Sequence, residues 1–167
     1  GMSNPPELAI IDGSALTRKI VEVAARREGL TCVGFPDGEE ALRRLQDDQE
    51  CVPRLILVEI DLPGRMNGYT VVRLLRVCTR LDSTAIVMFS GRSTLVSRLR
   101  VRHAGADAYL TKPFQRRTFL SVLSRYCKGE DEQGAPRGEK HEHRAFYPGT
   151  ADQNGCPGTA PAYYPGR

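Results

Sequence analysis

An open α/β sheet of parallel strands is the fold class this chain predicts, and two observations predict it. Short apolar runs alternate with segments of helical period up to residue 128, the pattern of successive strand–helix units. The residues able to do chemistry stand at the carboxyl ends of those runs, where such sheets bind their ligands.

The first run, Leu8-Ala9-Ile10-Ile11, delivers Asp12. Ser14 is placed to cap a helix with Leu16, Ile20, Val23, Ala24 and the stem of Arg27 on one face, and Gly29 closes it. Residues 31–35 read as the second strand. Asp37-Gly38 then turns the chain into a helix carrying Ala41, Leu42 and Leu45, and the polar residues 47–50 lead to the third strand. That strand, Leu55-Ile56-Leu57-Val58, delivers Glu59, with Asp61 two residues on. Asn67-Gly68 opens a third helix with Val71, Val72, Leu74 and Leu75 toward the sheet, ending near Leu81. The fourth strand, Ala85-Ile86-Val87-Met88-Phe89, delivers Ser90, and a fourth helix is expected over 93–104. The fifth, Ala108-Tyr109-Leu110-Thr111, delivers Lys112 ahead of Pro113. A fifth helix follows over 115–126, with Phe119, Leu120, Val122 and Leu123 as its stripe. Two carboxylates, a hydroxyl and an amine are thereby expected in one crevice.

Composition bounds the rest. The 167 residues are 40% hydrophobic and 26% charged, which suits one domain with an appendage. Residues 1–6 read as a tag remnant and leader, 7–128 as the domain, and 129–167 as a tail expected to be disordered, since 12 of its 39 residues are Gly or Pro. Within that tail, Phe146-Tyr147-Pro148-Gly149 recurs as Tyr163-Tyr164-Pro165-Gly166. No apolar stretch approaches the ~18 residues that a membrane span needs, and no secretory signal precedes the domain, so a cytoplasmic protein is expected. Cys32, Cys51, Cys78, Cys127 and Cys156 have neither disulfide-framework nor zinc spacing, and His141-Glu142-His143 alone predicts no metal site. The domain carries 20 basic and 14 acidic groups, too mild a balance for a dense nucleic-acid-binding stripe. Without a G-x-S-x-G elbow, a Walker loop or H-E-x-x-H, hydrolase and NTPase readings lack support, and no enzymatic activity is expected.

With Leu62-Pro63-Gly64, Asn67-Gly68, Ala104-Gly105-Ala106-Asp107 and Lys112-Pro113-Phe114 added to the strand-end residues, the chain over about 7–127 resembles the receiver domain of two-component response regulators. The resemblance implies a flavodoxin-like three-layer sandwich with strand order 2-1-3-4-5. It also implies a phosphate-accepting aspartate where this chain has Glu59, and a second acid after the first strand where it has Gly13. Ser90 and Tyr109 match the switch positions. Lys112 matches the phosphate-binding lysine, and the bond to Pro113 is usually cis in the family. Mg²⁺ would fall to Asp12, Glu59 and the Asp61 carbonyl, a set thin enough that weak binding or none is expected.

The extra methylene of Glu59 moves its carboxylate by about a bond length, and a ~1 Å displacement can cost about a hundredfold in a reaction needing in-line alignment. Glu59 is therefore expected to mimic the modified state, with Lys112 paired to it or to Asp12. The function expected is an atypical, phosphorylation-independent interaction module without a cofactor. Its protein partner would be a histidine kinase, an effector or a second copy, bound through the face made by the fourth helix, fifth strand and fifth helix. Arg98, Arg100, Arg102, Arg116 and Arg117 stand on or near that face. The alternatives are a working phosphoacceptor at Glu59 or Asp61 with weak Mg²⁺, and a nucleic-acid or scaffold adaptor using the arginine-rich fourth helix.

Overall fold

The computed structural model of the chain describes residues 6–47, 52–91, 98–128, 143–146 and 162–165. Its elements run β1 (Leu8–Ile11), α1 (Ala15–Arg27), β2 (Cys32–Phe35), α2 (Gly38–Leu45), β3 (Leu55–Glu59), α3 (Gly68–Val77), β4 (Ala85–Ser90), α4 (Arg98–Ala104), β5 (Ala108–Thr111) and α5 (Arg116–Tyr126). Five parallel strands lie in the order β2-β1-β3-β4-β5, the sheet expected from the alternating pattern.

Strand alternation splits the core into two layers. Ala9, Ile11, Ile56, Val58, Ile86 and Met88 face α2, α3 and α4. Leu8, Ile10, Leu55, Leu57, Val87 and Phe89 face α1 and α5. Every residue of β1, β3 and β4 is buried, as central strands covered on both faces require. A Leu or Ile so placed contributes about 1.5–3 kcal/mol by leaving water, which is what makes the strand ends a rigid platform.

The helices start where side chains satisfy their first N–H groups. Ser14 accepts from Thr17 N at 3.2 Å, Asp37 from Glu40 N at 2.8 Å and Asn67 from Thr70 N at 3.1 Å. Each such cap contributes about 1 kcal/mol.

Two expectations change. Helix α1 buries Val21 and Ala25, while Leu16 and Ile20 are 71% and 57% exposed, so that end of the expected stripe faces outward and Val23 and Ala24 are half-buried, Ala24 packing on the core. The stripe continues into a groove of about 450 Å³ between α1 and α5, lined by Ile20, Val23, Ala24, Phe114, Phe119 and Leu120. Helix α3 stops at Val77, because Cys78 takes an extended conformation, and a 3₁₀ turn over Thr79–Leu81 completes the connection. Leu74 stays partly exposed. Within the tail, β6 (His143–Phe146) pairs antiparallel with β7 (Ala162–Pro165) and lies beside β5. The two aromatic tetrapeptides enter this pair through Phe146 and through Tyr163–Pro165. The polar linker at 48–50, the expected fourth-helix start at 93–97, Cys51, Cys156, His141, Glu142, Tyr147–Gly149 and Gly166 lie outside the described residues.

Candidate functional site

The ends of β1, β3 and β5 bring Asp12, Glu59 and Lys112 together. Lys112 Nζ lies 2.7 Å from Asp12 Oδ2 and 2.8 Å from Glu59 Oε2, so one ammonium bridges both carboxylates. The contact with Asp12 is an aligned hydrogen bond. That with Glu59 is an ion pair off hydrogen-bond alignment, and Oε2 is fully buried. Backbone groups fix the acids from the other side. Ser14 N donates to Asp12 Oδ1 at 2.7 Å, and Asp61 N to Glu59 Oε1 at 3.3 Å. Arg18 donates to the Asp12 carbonyl at 2.6 Å, occupying that backbone oxygen. The Lys112 N–H donates to Ser90 O at 2.8 Å, which docks the end of β5 against β4. The Lys112–Pro113 bond is cis, and the ammonium lies 4.7 Å from the centre of the Phe89 ring.

Two carboxylates against one ammonium leave the crevice with one uncompensated negative charge. Burial raises the Glu59 carboxyl above its ordinary 4.5; pairing with Lys112 and the Asp61 N–H partly offset this, and the Asp12 charge adds to it. Burial opposes the Lys112 charge as well, but the two carboxylates outweigh it and hold the ammonium above its ordinary 10.5. The folded state thus binds a proton at Glu59 more readily than the unfolded state. Stability from this group is greatest below about pH 4.5 and falls as pH rises through the elevated value, whereas the Lys112 contribution persists until pH exceeds 10.5. Glu59→Gln is accordingly expected to gain stability on the parent as pH rises from about 4 to 7, which urea unfolding at a series of pH values measures.

The position after Asp12 is closed to a third acid. A Cβ on Gly13 would fall 2.8 Å from Pro63 Cδ and 3.0 Å from Pro63 Cγ, and a proline ring cannot swing aside as a flexible chain end can. The loop bearing Pro63 is in turn held by Glu39 of α2, whose Oε1 accepts from Arg65 N at 2.8 Å. Among the described residues no group of three or more His, Cys, Asp or Glu is placed to share a metal ion. With Lys112 already between the two carboxylates, the donor set does not fit a divalent cation, which prefers several free oxygens in octahedral array.

Ser90 is buried at the end of β4. Tyr109 is buried among the α3 and α4 side chains, and burial pushes its phenol up to about 12, with smaller contributions from Tyr69, Glu59 and Asp61. Asp61 itself is exposed. Arg98 and Arg100 are exposed and Arg102 half-buried on α4, in one layer. Arg116 and Arg117 are exposed at the start of α5 in the other layer, and Arg116 lines the α1–α5 groove.

Sequence reasoning missed a polar anchor at the opposite edge of the sheet, where β4 and β5 begin. Arg76 of α3 donates from Nε to Gly105 O at 2.8 Å and from one terminal nitrogen to Leu81 O and Thr84 O at 2.9 and 2.8 Å. The other terminal nitrogen reaches Asp107 Oδ2 at 2.9 Å. The same Asp107 oxygen accepts from Ile86 N. Gly105, at φ +107°, is doubly required, because a Cβ there would also meet Arg76 Cγ at 2.7 Å. The available signal was an arginine set between Leu75 and Val77, four residues after Val72 on the helix's apolar side.

Comparison with known proteins adds the family. The model of the response regulator receiver domain matches residues 8–124. The chain belongs to the response regulator receiver family. Protein PilG of Pseudomonas aeruginosa is 30% identical over 117 residues, covering 70% of this chain and 84% of PilG. The DNA-binding response regulator MtrA of Mycolicibacterium paratuberculosis is 30% identical over 126 residues, 75% of this chain and 53% of MtrA. The sensor histidine kinase CheAY of Helicobacter pylori is 29% identical over 123 residues, 74% of this chain and 15% of the kinase. The chain therefore spans most of PilG but only part of the larger two. Among solved structures, the chemotaxis response regulator CheY4 of Vibrio cholerae superposes with a TM-score of 0.65 at 24% identity, covering 74% of this chain and 99% of CheY4. A CheY-like receiver from Methanospirillum hungatei gives 0.66 at 22%, covering 75% of this chain and 95% of that one. These likenesses support the receiver fold. Among the described residues, no helix is long and apolar enough to cross a membrane.

Proposed function

We infer that this receiver works as a protein-interaction module in two-component signalling whose conformation does not depend on phosphorylation, with Glu59 standing in for the phosphorylated aspartate. One observation carries the reading: a single ammonium, Lys112 Nζ, bridges Asp12 and Glu59 at 2.7 and 2.8 Å. A lysine at the end of β5 that would otherwise meet a transient phosphoryl group already has a permanent anion. The Gly13–Pro63 contact supports it further, since it leaves no room for the acid that would complete a cation site. The burial of Tyr109 is consistent with a switch aromatic held in one position. In this reading the module is not an enzyme and needs no cofactor. Magnesium binds weakly or not at all, and the molecule acts in the cytoplasm. Its partner is a histidine kinase, an effector or a second copy, met on the face of α4, β5 and α5.

Incubation with a small phosphodonor and Mg²⁺, followed by intact-mass measurement, tests the reading. No mass gain is expected, under conditions in which a receiver with the usual aspartate gains one phosphoryl group. A gain that peptide mapping places on Glu59 or Asp61 would overturn it in favour of a working phosphoacceptor.

A further inference from the structure

We propose that Arg100 is a latch through which the crevice at Glu59 holds α4 in place. The proposal rests on the reading of α4 as part of the interaction face, and it adds how the crevice reaches that face. The described part of α4, Arg98–Ala104, buries Val101 and Ala104. The guanidinium of Arg100 adds a further contact with the body of the domain, lying 4.1 Å from the centre of the Tyr69 ring, a cation over an aromatic face. Arg100 is otherwise exposed, so one residue belongs both to the outer surface and to this internal contact.

Tyr69 is in turn fixed by the end of β3. It follows Gly68, whose N–H donates to Ile60 O at 2.8 Å and which packs so closely on the Glu59 carbonyl that no side chain fits there. Tyr69 is 4% exposed and shares its apolar cluster with Tyr109 and with Val101 of α4. The Tyr109 phenol lies within electrostatic reach of Tyr69, Glu59 and Asp61. The close packing of Gly68 on the Glu59 carbonyl, the adjoining Tyr69 ring and the Arg100 guanidinium over it thus connect the end of β3 to α4. A shift of the Glu59 strand end is felt at Tyr69, and the guanidinium passes it to α4. Lysine is a poor substitute at this position, because a point charge lacks the flat face that stacks on a ring.

Backbone hydrogen exchange on the full chain, without phosphodonor or partner, tests the latch. In Arg100→Ala the α4 amides are expected to exchange about tenfold faster, while those of β1 and β3 are unchanged. Arg100→Lys should give about a threefold increase. Tyr69→Leu, which keeps the apolar volume, should reproduce Arg100→Ala. Glu59→Gln should change α4 exchange about threefold or more in the parent and leave it unaltered in the Arg100→Ala background. Alpha-four exchange within twofold of the parent in Arg100→Ala overturns the proposal. So does a Glu59→Gln effect of the same factor in both backgrounds. These outcomes are separate from the mass test: phosphoryl uptake would sink the functional reading and leave the latch standing, while equal factors would sink the latch alone.

Discussion

Lys112→Ala is expected to destabilise the domain by about 3–5 kcal/mol at neutral pH, the range seen when one partner of a buried ion pair is removed. The size follows from what remains. Asp12 and Glu59 are 3% and 6% exposed and share the one ammonium, so its loss leaves two buried carboxylates facing each other without a counter-charge. Two features separate this from lost packing. Adding Glu59→Gln to Lys112→Ala should recover a large part of the deficit, because it removes the repulsion. The deficit should also shrink on acidification toward pH 4, where one carboxylate can protonate. Urea unfolding of the parent, the two single variants and the double variant at pH 4 and pH 7 measures both. A loss below about 1 kcal/mol at pH 7 would mean that the ammonium is solvated rather than bridging.

Arg76→Ala is the second large effect, expected at about 3 kcal/mol or more. The guanidinium meets four acceptors, and its removal takes the charged partner from the Asp107 carboxylate and a donor from the carbonyls of Gly105, Leu81 and Thr84, although Ile86 N still reaches Asp107 and Thr84 N still reaches Leu81 O. Buried acceptors without donors cost about 1–3 kcal/mol each when water cannot replace the partner, and more for a charged one. Partial exposure of the arginine lets some water in, so the sum is not reached. Arg76→Lys should recover less than half, since an ammonium cannot reproduce the planar fork. Because these bonds tie α3 to the turn between α4 and β5, local exchange near residues 104–107 should rise before global unfolding. Equal stability of Arg76→Ala and the parent would show that the network contributes nothing net.

The strands and the residues at their ends were legible because a buried parallel strand is an uninterrupted apolar run, and its first polar residue marks the edge of the sheet. Asp12, Glu59 and Ser90 follow from that alone, and Lys112 stands one residue past Thr111. The inward face of α1 was not legible. Leu16, Ile20, Val23 and Ala24 form a larger apolar stripe than Val21 and Ala25, and periodicity cannot say which of two stripes the sheet covers. The smaller pair goes inside, leaving Ile20, Val23 and Ala24 to line the groove shared with α5. Nor could the chain reveal Arg76 with Asp107, or Gly13 against Pro63. The first pair is 31 residues apart and meets only after β4 and β5 are side by side. The second depends on how closely the loop after β3 folds over the end of β1. The closure of α3 at Cys78 has no counterpart in the apolar pattern, which runs on to Leu81.

The identity of the counter-charge to Glu59 is the point on which the rest turns, and side-chain NMR of the Lys112 ammonium and of the Asp12 and Glu59 carboxyls during a Mg²⁺ titration addresses it most directly. The account predicts an ammonium resonance protected from exchange and unmoved by millimolar Mg²⁺, with both carboxyl signals constant. A saturable Mg²⁺-dependent shift of the carboxyls, accompanied by release of the ammonium to solvent, would contradict it.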